Sequence, residues 1–547
     1  MNNSRGPSKS RKASRMRQGD GYRLKEDPLP LPREKYAEIF AMGGRKAPAP
    51  PPPPPAAVRL TVSDRLGLGW KPDDSAVAQP TPRDSALGTR LAPAKAVAGP
   101  TRELVMGLDF GTSSTKVVVA DRAMNAAYAV PFIDSVGVSS YLLPSALVES
   151  GDGMYALSGE GERHADLKLA MLARLDDSSS CARVCAFLAL VIRSARAWLF
   201  QAKREQYLRA DILWTLALGQ PADHAASASF RRHYEQLAKV AWFLAGKAGA
   251  VGVSAAEAAW ARREQLDVGD ELEVRPMAEL SAQVHGFVSS SHFDVRQPNI
   301  YLLVDVGAGT VDSSLFHVQK DRGGTVSFSF FTHTVELLGA ANLNRRRVDW
   351  WLSQLGAARE ALNASNANTA ARILVLMDEL ERLRVPTEYR GRYPEHYSNY
   401  VKGVGVTLEG GALSPDDQFR FQVRDQVAGR VLYGAWKQKL LTQDDVKDMP
   451  FFLCGGGARH SFYAALKTTL QKTPNCTWLS AKPRELALPT NMVAPGVSSA
   501  DYDRLSVAYG LSQLNLGAFE RVAALKPVVT AERQNDLTTS PVDKSVC

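Results

Sequence analysis

The sequence predicts an α/β protein of two lobes, each a sheet backed by helices, after a disordered N-terminal segment. Three observations predict it. Residues 104–121, LVMGLDFGTSSTKVVVAD, run from an apolar stretch through a Gly/Ser/Thr turn into a β-branched stretch, the pattern of a β-hairpin with a small polar tip. Residues 301–318, YLLVDVGAGTVDSSLFHV, repeat the idea, and both turns fit Asp-x-Gly-x-[Ser/Gly]-[Ser/Thr] from Asp109 and Asp305. A duplicated domain is the natural inference. Residues 451–467, FFLCGGGARHSFYAALK, then read as strand, glycine turn and helix.

In chain order, residues 1–102 form a basic, Pro-rich segment. They hold 16 of the 31 prolines, including an unbroken Pro50–Pro55 run, with few residues that could build a core. That run and the PLPLP at Pro28–Pro32 favour polyproline II, which serves either as a solvated spacer or as a ligand for aromatic grooves on a protein partner. The first lobe is expected over 103–296. Its hairpin is followed by helical stretches at 165–207 and 229–265 around an apolar strand, Asp211 to Leu218, that ends at Gly219. The second lobe, 297–500, continues from its hairpin with helix over about 340–385, a polar region with turns near Gly403 and Gly410, helix over about 417–440, and the 451–467 element. A helix returning to the first lobe is expected at 501–515, and a tail at 516–547.

The net charge of +9 invites a nucleic-acid reading. However, residues 1–100 hold 18 Lys/Arg against 9 Asp/Glu, and the remainder is balanced at 48 against 48. With no basic excess on the folded part, a dedicated nucleic-acid site is not expected there. Five cysteines without repeated spacing fit a reducing compartment, and the basic N-terminus lacks the apolar middle of a signal peptide, so a cytoplasmic location is expected. The most apolar helical stretch, Ala182 to Phe200, is interrupted by Arg183, Arg193 and Arg196 and reads as a buried helix, with no membrane partner expected. Cys181 and Cys185 stand at helical i, i+4 spacing. Core packing accounts for them better than a metal, since no second pair completes a site.

The turns suit phosphate chemistry. Backbone N–H groups can crowd a phosphate chain only where no side chain blocks them, and Gly111, Gly307 and Gly309 supply that access. Hydroxyls at Thr112, Ser113 and Thr310 add donors. Asp109, Asp305 and Asp312 stand at the inner ends of the strands, where buried carboxylates are costly unless they ligate magnesium directly or through water. Gly455, Gly456 and Gly457 let the backbone pass close to a ring or ribose while the following helix start faces phosphate.

These residues resemble the nucleotide-binding domain of DnaK-type heat-shock chaperones, within the actin-like ATPase superfamily. LDFGTSSTKVVV is similar to the first phosphate motif, LVDVGAGTVDSSLF to the second and FLCGGGARHSFYAAL to the adenosine motif; YLLPSAL, LSGEGE, LGAANLNRRRVDWW and DRLSVAYGLSQ follow in the family's order. The likeness runs from about Leu104 to Gln513. It implies two lobes of duplicated RNase H-like sheets with ATP or ADP and Mg²⁺ between them. Asp109 and Asp305 would hold the metal, and Thr112, Ser113, Gly309 and Thr310 the phosphates. Asp312 would orient the attacking water, and Gly456 and Arg459 would lie against the nucleoside. Lys168 matches the catalytic lysine or is a solvated helix lysine. Glu381 matches a helix residue that reaches the adenosine or is simply exposed.

Two departures from the family bear on activity. The Glu-Pro at the first connection between lobes appears as Arg275-Pro276, with Glu279 one helical turn later, so slow or conditional hydrolysis is expected. Ala308 stands where a third glycine is usual, tolerable if its φ stays negative. About thirty residues follow Gln513, too few for a peptide-holding domain. The implied function is a DnaK-like ATP switch acting on a protein partner, with an ATP-dependent filament protein or a small-molecule kinase as alternatives.

Overall fold

The structure is a computed structural model and describes residues 59–71, 79–83, 85–89, 100–221, 227–269, 272–288, 293–320, 326–362, 367–384, 393–407, 414–471, 476–513 and 522–523. The Pro28–Pro32 and Pro50–Pro55 runs and the segment 524–547 lie outside the described residues. The elements below belong to one compact unit, Pro52–Thr473 with Thr477–Cys547. It is a mixed α/β fold of several sheets and helices.

The chain enters through β1, Arg59–Leu68, and then forms a hairpin of β2, Thr101–Phe110, and β3, Ser114–Asp121, extended by β4, Ala126–Ala129. Helices α1, Leu167–Ala173, and α2, Ser178–Ala202, lead to β5, Asp211–Gln220. After α3, Ala228–Ala245, and α4, Val253–Ala261, come β6, Leu272–Ala278, and α5, Glu279–Val288. A second hairpin pairs β7, Ile300–Val306, with β8, Val311–Lys320, and β9, Val326–Glu336, follows it. Helices α6, Ala340–Ala361, and α7, Ala367–Arg384, precede β10, Val401–Thr407, and α8, Pro415–Arg424. The chain closes with β11, Met449–Cys454, β12, Ala481–Arg484, β13, Met492–Val493, α9, Ser506–Gln513, and β14, Val522–Ala523.

One large sheet has the order β6-β5-β2-β3-β4-β13 and the other β12-β11-β7-β8-β9-β14. Strand directions match position by position: two parallel neighbours beside the hairpin, an antiparallel third strand, and a short parallel strand beyond it. Strands that are apolar and buried on both faces, such as β2 and β7, are central in their sheets.

The larger core packs β2, β3 and β5 against α2 and α3, with Trp214 and Trp242 meeting edge to face. A second core joins Val118 of β3, Leu280 and Val284 of α5, Leu303 of β7, Phe316 of β8 and Leu505 and Ala508, so α5 and α9 are packed between strands of both large sheets. Among the described residues, α2 alone is long and apolar enough to cross a membrane, and here it lies buried in the larger core. Its Arg193 donates to the carbonyls of Leu244, Ala245, Lys247 and Gly249 at the end of α3, completing hydrogen bonds the helix cannot make itself. The Arg196 guanidinium lies over the Trp242 ring, 5.1 Å from its centroid.

Several expectations need correction. Disorder over 1–102 does not hold for Arg59–Leu68: β1 pairs antiparallel with β10, and Val62, Leu66, Leu68 and Trp70 pack on a third core formed by Trp351, Leu355, Leu380 and Tyr400. Alternating apolar residues in TVSDRLGLGW find a partner far along the chain, which composition cannot reveal. The helical stretch expected at 229–265 holds two helices, and the helix expected at about 340–385 is two helices, α6 and α7. The helix expected at 417–440 passes through a π-helical segment, Asp425–Tyr433, where the buried Gln426 Nε2 donates to the carbonyls of Val311 and Thr334. The glycine turn after β11 leads into a 3₁₀ turn, Gly456–Arg459, rather than directly into an α-helix.

Candidate functional site

Register places the first aspartate. Asp109 is the penultimate residue of β2, and its cross-strand partner is Lys116. Directly opposed side chains are close enough to touch, and Lys116 Nζ reaches Asp109 Oδ2 at 3.0 Å. In the second hairpin the equivalent pair is Asp305 and Asp312. The two hairpins therefore set a cation and an anion, respectively, opposite their aspartates.

The glycines bring the turns together. Thr112 Cγ2 lies 3.7 Å from the place a Cβ on Gly309 would occupy, and Leu169 of α1 lies 3.2 Å from it. The first turn and the second therefore meet beside α1. A Cβ on Gly111 would fall 2.5 Å from the Ser114 carbonyl, too close for a side chain, and one on Gly307 would fall 3.3 Å from that of Thr310, a tight contact that a small shift relieves. Ala308 is not among the residues with positive φ and fits the turn without glycine's freedom. Gly455 has φ of +88°, and a Cβ there would collide with Asp305 Oδ1 and the Val306 carbonyl. Gly457 packs in the same way on Val306 and Ala340. Ser113 and Gly456 are exposed, and Thr112 and Thr310 are half-buried.

Between these loops lies a set of paired charges. Lys168, on α1, is 6% exposed, and its ammonium meets Glu279 Oε1 at 2.6 Å. Burial works against the ammonium, but Glu279 outweighs it and holds the lysine charged above its ordinary range. Burial pushes the Glu279 carboxyl upward against the pull of Lys168. Gln283, one turn along α5, donates to Asp305 Oδ2 at 3.1 Å. Burial, and then the nearby Asp109, raise the Asp305 carboxyl to about 6.

Three residues sit differently from what the sequence predicts. Arg275 does not replace the family glutamate in the site. It pairs with Glu273 at 2.5 Å, because β6 runs on to Ala278 and Glu279 opens α5 beside Lys168. Arg459 is tied to Asp501 at 3.2 Å, to Asp503 at 2.7 Å and to the Ala500 carbonyl at 3.0 Å, which clamps the glycine turn to the segment before α9. The guanidinium that covers Gly456 belongs instead to Arg504, 3.1–3.2 Å from a Cβ position there. Glu381 is exposed on α7, pairs with Arg384 at 3.1 Å and makes none of these contacts. Sequence reasoning missed Lys116, Gln283 and Arg504, which strand register or folding at a distance brings to the site. Only Lys116 had a local signal, seven residues from Asp109 on the other arm of a hairpin.

A second network links the second turn to the start of α1. Asn342 Nδ2 donates to the Gly309 carbonyl at 2.6 Å, and Arg345 spans from Asn342 Oδ1 at 3.0 Å to Asp166 Oδ2 at 3.2 Å, just before α1.

The donor set bears on the implied metal. Among the described residues no group of three or more His, Cys, Asp or Glu forms a cage. Magnesium, though, is commonly bound by one or two carboxylates together with substrate phosphates and water. Asp109 and Asp305 make a donor set of that size. The buried thiols Cys181 and Cys185 lie elsewhere, with Cys185 Sγ 3.8 Å from the Leu237 carbonyl in the larger core.

No protein-family model and no curated protein matches the chain.

Proposed function

We propose that this protein is an ATP-binding and ATP-hydrolysing switch of the two-lobed actin-like type, built from duplicated RNase H-like sheets and acting on a protein partner. The observation that carries the reading is the meeting of Thr112 with Gly309 while Gly455 rests on Asp305, which gathers three glycine-bearing turns around two aspartates and a buried lysine. The matched order and direction of the two large sheets support the duplication.

In this reading the turns at Gly111–Ser113 and Gly307–Thr310 offer backbone and hydroxyl donors to the phosphates. Gly455 to Gly457 lie along the nucleoside. Lys168, kept charged by Glu279, stabilises negative charge as the terminal phosphoryl group leaves. Magnesium held by Asp109 and Asp305 would neutralise phosphate charge. Asp312, across the strand from Asp305, orients the attacking water and takes its proton. The Asn342–Arg345–Asp166 network joins the second turn to α1 and gives nucleotide state a route to the relation of the two halves.

The test is calorimetric titration of the full chain with ATP, ADP and GTP in magnesium buffer, alongside thermal melts. Adenine nucleotides are expected to bind and raise the melting temperature, as any ligand selective for the native state does. Absence of both heat and thermal shift with every nucleotide would refute the proposal.

A further inference from the structure

The charges around the site are nearly all matched within the chain. Asp109 has Lys116, Glu279 has Lys168, and Asp501 and Asp503 have Arg459. Among the basic side chains Arg504 is the exception: its guanidinium makes no hydrogen bond or ion pair with any described residue. Its carbon and both terminal nitrogens stand 3.1, 3.1 and 3.2 Å from the Cβ position of Gly456, so the plane lies flat on the glycine and its donors point sideways. The fields of Asp503, Asp305 and Asp109 all act on it.

We propose that Arg504 is a ligand-binding residue that takes the phosphates of the bound nucleotide with guanidinium donors that no described residue engages. This rests on the reading of the site as a nucleotide site and adds to it a residue outside the glycine turns. A guanidinium presents a rigid fork of donors that matches phosphate oxygens two at a time. Burial and the neighbouring Arg459 disfavour its charge, an opposition that an arriving anion relieves. Its position is fixed by close packing. Tyr502 OH contacts Gly286 of α5, Gly510 of α9 sits on the Ala282 carbonyl, and Gly107 of β2 sits on the Ala508 carbonyl, each at a separation that leaves no room for a Cβ. A side chain at position 456 would crowd the guanidinium, whose atoms would have to shift by a few tenths of an ångström.

The experiment is calorimetric titration of full-length wild type, Arg504→Gln and Arg504→Lys with magnesium-ADP and with adenosine. Loss of a charge-assisted pair predicts roughly 10- to 100-fold weaker ADP binding for Arg504→Gln. Adenosine affinity should be unchanged, and Arg504→Lys should fall between. Equal losses for ADP and adenosine would assign Arg504 to the base, and unchanged ADP affinity would remove it from the site. Either outcome overturns the proposal while wild-type binding leaves the nucleotide reading standing. Wild type that binds neither ligand overturns both. If Arg504→Gln does not fold, phenylglyoxal labelling of wild type decides: pyrophosphate is expected to protect Arg504 from modification, and equal labelling with and without it counts against the proposal.

Discussion

Asp305 makes stability depend on pH through one carboxyl. Its folded-state value of about 6 lies above the roughly 3.9 of an exposed aspartate, so the native state holds the proton more tightly than the unfolded chain. The penalty of ionising it is absent below about pH 4, grows between about 4 and 6, and is complete above 6. Asp305→Asn is therefore expected to stabilise the fold at pH 7 to 8 by on the order of 1–3 kcal/mol, with the gain fading as pH drops towards 4. The same variant should lose most magnesium-dependent ATP turnover. Urea denaturation across pH and a phosphate-release assay check the two halves; unchanged turnover would take Asp305 out of the reaction.

At the scale of elements, the turn after β11 is the most demanding. Gly455 combines a left-handed backbone with the Asp305 carboxylate and the Val306 carbonyl against its missing side chain. Gly455→Ala should destabilise by about 1–3 kcal/mol, because the backbone strain and the collision add. It should abolish ADP binding as Asp305 is pushed from its place. Thermal melts with and without ADP read both effects, and a variant with normal binding would mean the turn yields without moving Asp305. Elsewhere, elements are joined by buried charge: Arg347 of α6, fully buried, meets Asp416 of α8 at 2.6 and 2.9 Å and the Pro394 carbonyl at 2.5 Å. Removing one partner of such a pair strands the other, the costly way to break it.

For the molecule as a whole, β1 changes what truncation is expected to do. Deleting residues 1–57 removes none of the described elements and should leave stability and ADP affinity within a few-fold of the full chain. Deleting residues 1–71 takes away the partner of β10 together with Leu66, Leu68 and Trp70 from the third core. Full burial of a large apolar side chain contributes about 1.5–3 kcal/mol; these are partly buried, so the loss should be on the order of a few kcal/mol. Comparative urea unfolding of the two truncations measures it. Equal midpoints would show that the β1–β10 pairing contributes nothing to stability.

The sequence by itself determined the hairpins, the tight turns and the strand before Gly455, because each is written in adjacent residues: apolar runs that need covering on both faces, and small residues where the chain must reverse. It also determined the α/β class. Tertiary structure alone decided which charges meet. Lys168 finds Glu279 at a separation of more than a hundred residues, Asp305 finds Gln283 on a different element, and Arg504 rather than Arg459 lies over Gly456. It likewise decided that β1 belongs to a sheet and that Glu279, rather than Arg275, opens the helix beside the lysine. The physical reason is range. Hydrophobic periodicity and turn chemistry act over a few bonds, whereas ion pairs, close backbone approaches and the desolvation that shifts a carboxyl depend on which distant surfaces come into contact.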